Sequence, residues 1–128
     1  MRGDERESLL RRIGLAAGKY WVCKRATPHA AEAMECLGGN GYAEDSGMPR
    51  LYREAPLMGI WEGSGNVSAL DTLRAMATRP ECVEVLFDEL ARTAGQDARL
   101  DAHVDGLRAG LSDPQTLEYR ARKVAEDI

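Results

Sequence analysis

No stretch of this 128-residue chain approaches the ~20 consecutive apolar residues that a membrane-spanning helix requires. The Met1 end lacks the charged, apolar, then small-residue order of a secretory signal. A cytoplasmic location with no membrane partner is the expectation. Cysteine is scarce: Cys23, Cys36 and Cys82 form no CxxC pair and leave an odd number, which argues against a disulfide framework and a cysteine zinc site. They read as reduced packing residues. The two histidines, His29 and His103, have no ligand spacing around them, so no metal is expected. Aromatic residues make up only 5% of the chain, and Trp21, Trp61, Tyr20 and Tyr52 are not interleaved with a basic run, which disfavours a base-stacking platform. Positive charge is not in excess either. Residues 1–78 carry 10 Lys+Arg against 10 Asp+Glu, and residues 79–128 carry 7 against 11. Backbone binding of nucleic acid draws most of its affinity from a basic face, and this chain has none in its sequence.

What is present is an apolar fraction of 44% and a charged fraction of 30%, the balance of a globular chain long enough for one core. The apolar period is helical almost throughout, with no alternating strand pattern of convincing length. Leu9, Ile13, Ala16, Ala17 and Tyr20 form one buried stripe. Thr27-Pro28 reads as an N-cap followed by proline at the first position of a second helix, which carries Ala30, Ala33, Met34 and Leu37 to Gly38-Gly39. A loop over 40–49 precedes a short helix around 49–58. Ser64 or Asn66 then caps a helix through Val67, Leu70, Leu73 and Met76.

The last third reads as three more helices. Thr78-Arg79-Pro80-Glu81 is a capping box opening a helix with Val83, Leu86, Phe87 and Leu90 inward. A helix with Leu100, Val104, Leu107 and Leu111 follows, then a second box at Ser112-Asp113-Pro114-Gln115 and a final stripe of Leu117, Ala121, Val124 and Ile128. The expected architecture is an all-α bundle with short connections.

Two glycine-rich breaks interrupt these helices, Gly38-Gly39-Asn40-Gly41-Tyr42 and Ile60-Trp61-Glu62-Gly63-Ser64-Gly65-Asn66. Each lets a ligand approach backbone closely, and the second sets one carboxylate beside a tryptophan and an isoleucine. A carboxylate desolvated by such neighbours is a candidate base, whereas alone in a loop it would be an ordinary solvated acid.

Lys19-Tyr20, the diglycine segment, Pro49-Arg50-Leu51-Tyr52-Arg53-Glu54-Ala55 and Trp61-Glu62-Gly63-Ser64 occur in an order and spacing that resemble the C-terminal helical domain of acyl-CoA dehydrogenases over residues 9 to about 77. Within that family Arg50–Pro56 and Ile60–Val67 are most similar to the AidB-like, DNA-alkylation-response branch, as is a tail of about fifty residues. The resemblance implies a flavoenzyme that removes the α-proton of an acyl-CoA thioester while the β-carbon passes hydride to FAD. It implies that Glu62 is the catalytic glutamate, and that Glu62 and Gly63 lie against the substrate, the Glu62 amide holding the thioester carbonyl. It also implies FAD contacts at Ser64 and Asn66, and at Gly38, Gly39 and Gly41 toward the FAD of a neighbouring subunit. A homo-oligomer, or a partner supplying missing domains, follows from that reach.

The same resemblance places the family's N-terminal helical and middle β-domains outside this chain. We expect a fragment, or a subunit completed by another chain, inactive in isolation. Residues 1–78 form the family region and residues 79–128 a helical extension on the same bundle. Two other readings are a DNA-binding role like that of the alkylation-response branch, disfavoured by the acidic tail, and a non-catalytic helical oligomerisation module.

Overall fold

The computed structural model describes residues 3–128 and is helical, with no strand among them. Helix α1 (Gly3–Cys36) runs for 34 residues, about 50 Å at 1.5 Å per residue. Short α2 (Gly39–Tyr42) and α3 (Met48–Glu54) follow, with single 3₁₀ turns at Glu44–Ser46 and Ala55–Gly59. Four further helices complete the chain: α4 (Gly65–Thr78), α5 (Glu81–Ala91), α6 (Ala98–Leu111) and α7 (Ala121–Asp127).

The core forms where α1 is gripped by its neighbours. Leu9, Ile13, Ala16, Ala17 and Tyr20 are all buried, as their spacing predicts. Leu9 and Ile13 pack against Cys82, Val85 and Leu86 of α5, while Tyr20 packs against Ala69 of α4 and Ala121 and Ala125 of α7. Burial of Cys82 pushes its thiol pKa up, in keeping with an unreactive packing residue. Residues of the last third thus complete the core on which α1 and α4 depend. Ion pairs pin the same contacts at their edges, Arg6 to Glu89 at 2.9 Å and Arg25 to Glu126 at 2.5 Å.

Several local expectations are corrected. Pro28 lies inside α1 rather than at the start of a new helix. A proline here forfeits one backbone hydrogen bond, yet the chain stays helical, held by α2 on the turns after the proline and by the Ala55–Gly59 turn before it. The backbone at Gly41 packs directly on the Met34 carbonyl, and Gly59 approaches that of Cys23. Tertiary packing outweighs the local stop signal.

Neither predicted capping box forms. Helix α4 continues through Thr78, whose hydroxyl donates to the Arg74 carbonyl at 2.7 Å, and α5 starts after Pro80 with no side-chain cap. At the second site the cap is Asp113, which accepts from the Gln115 amide at 3.2 Å, while Ser112 turns back to Ala109. The helix predicted around 49–58 divides into α3 and a 3₁₀ turn, at the point where Pro56 removes a donor.

Helix α4 is also turned relative to its large apolar residues. Val67 is 57% and Leu70 42% exposed, whereas Gly65, Ser68, Ala69, Thr72 and Ala75 are buried. Small residues let α4 lie close to α1, and the buried Thr72 hydroxyl is satisfied by the Ser68 carbonyl at 3.1 Å. On α5, Cys82 and Val85 join Leu86 and Phe87 inside, with Val83 and Leu90 at the margin.

Candidate functional site

The segment from Ala55 to Ser64 folds across the middle of α1 and delivers the chain to the start of α4. Glu62 stands in this crossing with φ 51°, and among the described residues no other non-glycine has a positive φ. Gly63 continues it at φ 107°, a conformation open to glycine and costly for other residues. Holding a glutamate in the left-handed region costs about 1 kcal/mol or more and requires the surroundings to impose it.

Lys19 of α1 supplies that constraint. Its ammonium donates to the carbonyl oxygens of Met58 at 3.2 Å, Trp61 at 3.3 Å and Gly63 at 2.5 Å. Three donors meet three carbonyls, the full capacity of the group. The Gly63 carbonyl also accepts from the Ser68 hydroxyl at 3.4 Å, so the first turn of α4 holds the same peptide.

Glu62 is exposed and lines a groove of about 430 Å³ between α1 and α4, with Leu15, Ala16, Lys19 and Val67. Its backbone N–H makes no hydrogen bond among the described residues, which leaves it free as a donor. On the other side of the loop Leu57, Met58, Ile60 and Trp61 are exposed. Ser64 is the N-terminal flanking residue of α4 but makes no side-chain cap, and neither its hydroxyl nor the Asn66 amide bonds to another described residue. Both are exposed and uncommitted.

The glycines separate by what requires them. Gly41 is buried, and a Cβ there would lie 2.1 Å from the Met34 carbonyl oxygen, so close packing on α1 explains it. Gly38 is required by its backbone, φ 59° and ψ −146°. Gly39 has ordinary φ, is exposed and has nothing within 4 Å of a would-be Cβ. Within this motif it is the glycine whose bareness serves nothing inside the chain.

The two glycine motifs do not converge. Lys19 marks the level of the Glu62 loop on α1 and the diglycine segment begins beyond its last residue, Cys36. Those 17 intervening residues amount to about 25 Å of helix.

Sequence reasoning missed the basic groups at the start of α4. A Cβ on Gly65 would lie 2.6 Å from Lys24 Cε and 3.4 Å from an Arg122 guanidinium nitrogen, so both cations flank the amino end of α4 near Ser64. Arg122 arrives from α7, and no periodicity signals that approach. Arg120, by contrast, is committed within the fold, donating to the Gly110 carbonyl at 2.8 Å and the Thr116 hydroxyl at 2.9 Å.

A glutamate on a constrained turn before a helix, with a glycine-ended helix packed beside it, is the arrangement expected of an acyl-CoA dehydrogenase C-terminal domain. The family model described as "Acyl-CoA dehydrogenase, C-terminal domain" matches residues 2–77, more than half of the chain, and the chain belongs to that family. It is 44% identical over 113 residues to AidB of Escherichia coli (strain K12), covering 88% of this chain and 21% of that protein. It is 33% identical over 120 residues to acyl-CoA dehydrogenase family member 11 of Caenorhabditis elegans, covering 90% of this chain and 19% of that one. Among solved structures, Caenorhabditis elegans ACDH-11 in complex with C11-CoA superposes with a TM-score of 0.80 at 27% identity, over 94% of this chain and 23% of that one. The chain spans about a fifth of the length of these relatives. Because the match to AidB is longer than the 77 residues at which the family model ends, it reaches into the C-terminal extension.

Proposed function

We propose that this chain is the catalytic-base-bearing C-terminal part of an FAD-dependent acyl-CoA dehydrogenase, with residues 1–78 as the family region and residues 79–128 as an extension that completes its core. The observation that carries this reading is Glu62 itself, a carboxylate and a free backbone N–H presented together from a constrained turn. The two groups match the two needs of α-proton removal from a thioester. The carboxylate accepts the proton, and the amide donates to the carbonyl oxygen where negative charge develops. Gly63, with no side chain, leaves room beside that oxygen.

The residues present suit FAD. Ser64 and Asn66 offer an uncommitted hydroxyl and amide, Ile60 and Trp61 an apolar surface, and Gly39 an open stretch of backbone. When bound, FAD would accept hydride from the substrate β-carbon. Gly39, the exposed glycine of the diglycine segment with no internal role, lies too far from Glu62 to crowd the same face of the loop, which supports its assignment to the flavin of a neighbouring subunit, with Gly38 and Gly41 shaping the turn that presents it. The acyl-CoA substrate would cover the exposed side of the Glu62 loop and exclude solvent from the carboxylate.

The test is a polypeptide carrying this chain as its C-terminal part. Glu62→Gln is expected to slow acyl-CoA-dependent bleaching of bound flavin by about 10²–10⁴-fold with flavin content unchanged; unchanged bleaching would reject Glu62 as base. A second reading, assembly with itself or a partner, is favoured by Leu15, Val22, Leu37, Ile60, Trp61 and Val67, each exposed by 51% or more. Light scattering on the purified 128-residue chain checks it, and a stable monomer would count against it.

A further inference from the structure

We infer that Lys19 is the positioning residue of the candidate site, acting through the backbone on both groups that Glu62 presents. The inference rests on the reading of Glu62 as base, yet its physical core can be tested apart from it. Lys19 binds the carbonyls of Met58, Trp61 and Gly63, so its contacts bracket Glu62 on both sides. Holding the Trp61 carbonyl fixes the peptide plane that enters Glu62, and holding the Gly63 carbonyl fixes the plane that leaves Gly63, so the Glu62–Gly63 turn is spanned between two anchored peptides. The direction of the Glu62 N–H follows, because that N–H shares its peptide plane with the Trp61 carbonyl. Lys19 turns the carbonyl inward toward α1; the N–H of the same trans peptide points the opposite way, away from the ammonium.

The clamp has no carboxylate in it. Among the described residues no ion pair involves Lys19, so its charge is met by carbonyl dipoles, and it lines the same groove as Glu62. One consequence follows. Lys19 holds the turn in its costly left-handed state through the backbone alone. An arginine cannot replace it well, since a planar fork does not direct three hydrogen bonds at converging carbonyls as a compact ammonium does.

The experiment has an arm that needs no variant. The chain contains three lysines, Lys19, Lys24 and Lys123. Under limiting reductive methylation of the native 128-residue chain, read by peptide mass spectrometry, Lys19 is expected to react about tenfold or more slowly than Lys24, because its donors are held whereas Lys24 makes no side-chain hydrogen bond or ion pair among the described residues. Equal reactivity would overturn the clamp. In Lys19→Met, hydrogen exchange of amides 60 and 61, which donate to the Leu57 carbonyl within the clamped loop, is expected to accelerate about tenfold or more while amides around Ile13 and Thr72 keep their protection; unchanged exchange at these two amides would also overturn it. In the flavin-holding polypeptide, Lys19→Met is expected to lower kcat far more than it changes KM, with Lys19→Arg restoring only part of it. If Glu62→Gln retains full activity while the methylation and exchange results stand, the catalytic reading fails and the clamp survives. If Glu62→Gln is inactive but Lys19→Met has unaltered kcat, the positioning role fails and the base survives.

Discussion

Arg12 on α1 meets Asp71 on α4 through two guanidinium nitrogens, each 2.8 Å from a different carboxylate oxygen. The hydrogen bond to Asp71 raises the Arg12 pKa further above its already high value, outweighing the opposing effect of partial burial. This two-pronged pair joins the helices on either side of the Glu62 groove, which both residues line. Asp71→Asn is expected to destabilise the chain by about 1 kcal/mol, measured by urea unfolding. No loss would mean that the pair decorates the contact without holding it.

Acid should loosen the contact between α5 and the amino-terminal turns of α1. The Glu89 carboxyl is held below its usual pKa, first by the hydrogen bond from Arg6 and then by Arg92. A depressed folded-state pKa stabilises the fold above the unfolded value of about 4.3 and loses that contribution as pH falls through the lower folded value. Thermal midpoints of the native chain should therefore drop through this window more steeply than those of Arg6→Ala. Parallel curves would remove Glu89 from the acid response.

Gly41→Ala should be among the most damaging changes in the diglycine segment. The new methyl would meet the Met34 carbonyl at 2.1 Å, and backbone on both sides must part to admit it. A loss of about 2–3 kcal/mol is expected from overpacking, against only a few tenths for Gly39→Ala, whose surroundings are open. Comparable losses by chemical denaturation would contradict the separation of structural from ligand-facing glycines.

Glu62→Asn should stabilise the isolated chain by about 0.5 kcal/mol, because asparagine occupies the left-handed region more readily than glutamate. The same change removes the proposed base. A variant that melts higher and, in the flavin-holding polypeptide, fails to bleach flavin would display strain kept for function; a lower melting temperature would argue that the turn suits glutamate.

Ile13→Ala is expected to cost about 3 kcal/mol, since Ile13 is fully buried, while Val67→Ala should cost less than about 0.5 kcal/mol. Both positions lie on apolar stripes in the sequence, so equal losses would contradict the observed rotation of α4.

That rotation illustrates what the sequence could and could not convey. The α1 stripe was legible because its large residues recur at helical spacing and have partners in the same chain. The inner face of α4 was not, because glycine, serine, alanine and threonine carry little hydrophobic signal, and their value lies in the close approach they permit. The caps failed for a related reason: Thr78 and Ser112 bond back into the preceding turn as readily as forward. Glu62 was singled out by a motif, but its left-handed backbone was not legible, since glutamate carries no preference for that region. The Lys19 contacts were not, since they join residues 39 to 44 apart through backbone carbonyls that bear no residue signature.

The unbroken passage of α1 through Pro28 makes this helix a ruler. Its two marks, the lysine-held loop and the glycine knot, are set apart in length and also in bearing, for each residue advances the second mark by about 100° around the axis. One residue inserted between Lys24 and Met34 would leave both motifs intact in composition and aim the knot at a different neighbour. Evolution can rewrite the letters along that stretch freely, but it cannot change their number without re-registering whatever assembly reads both marks.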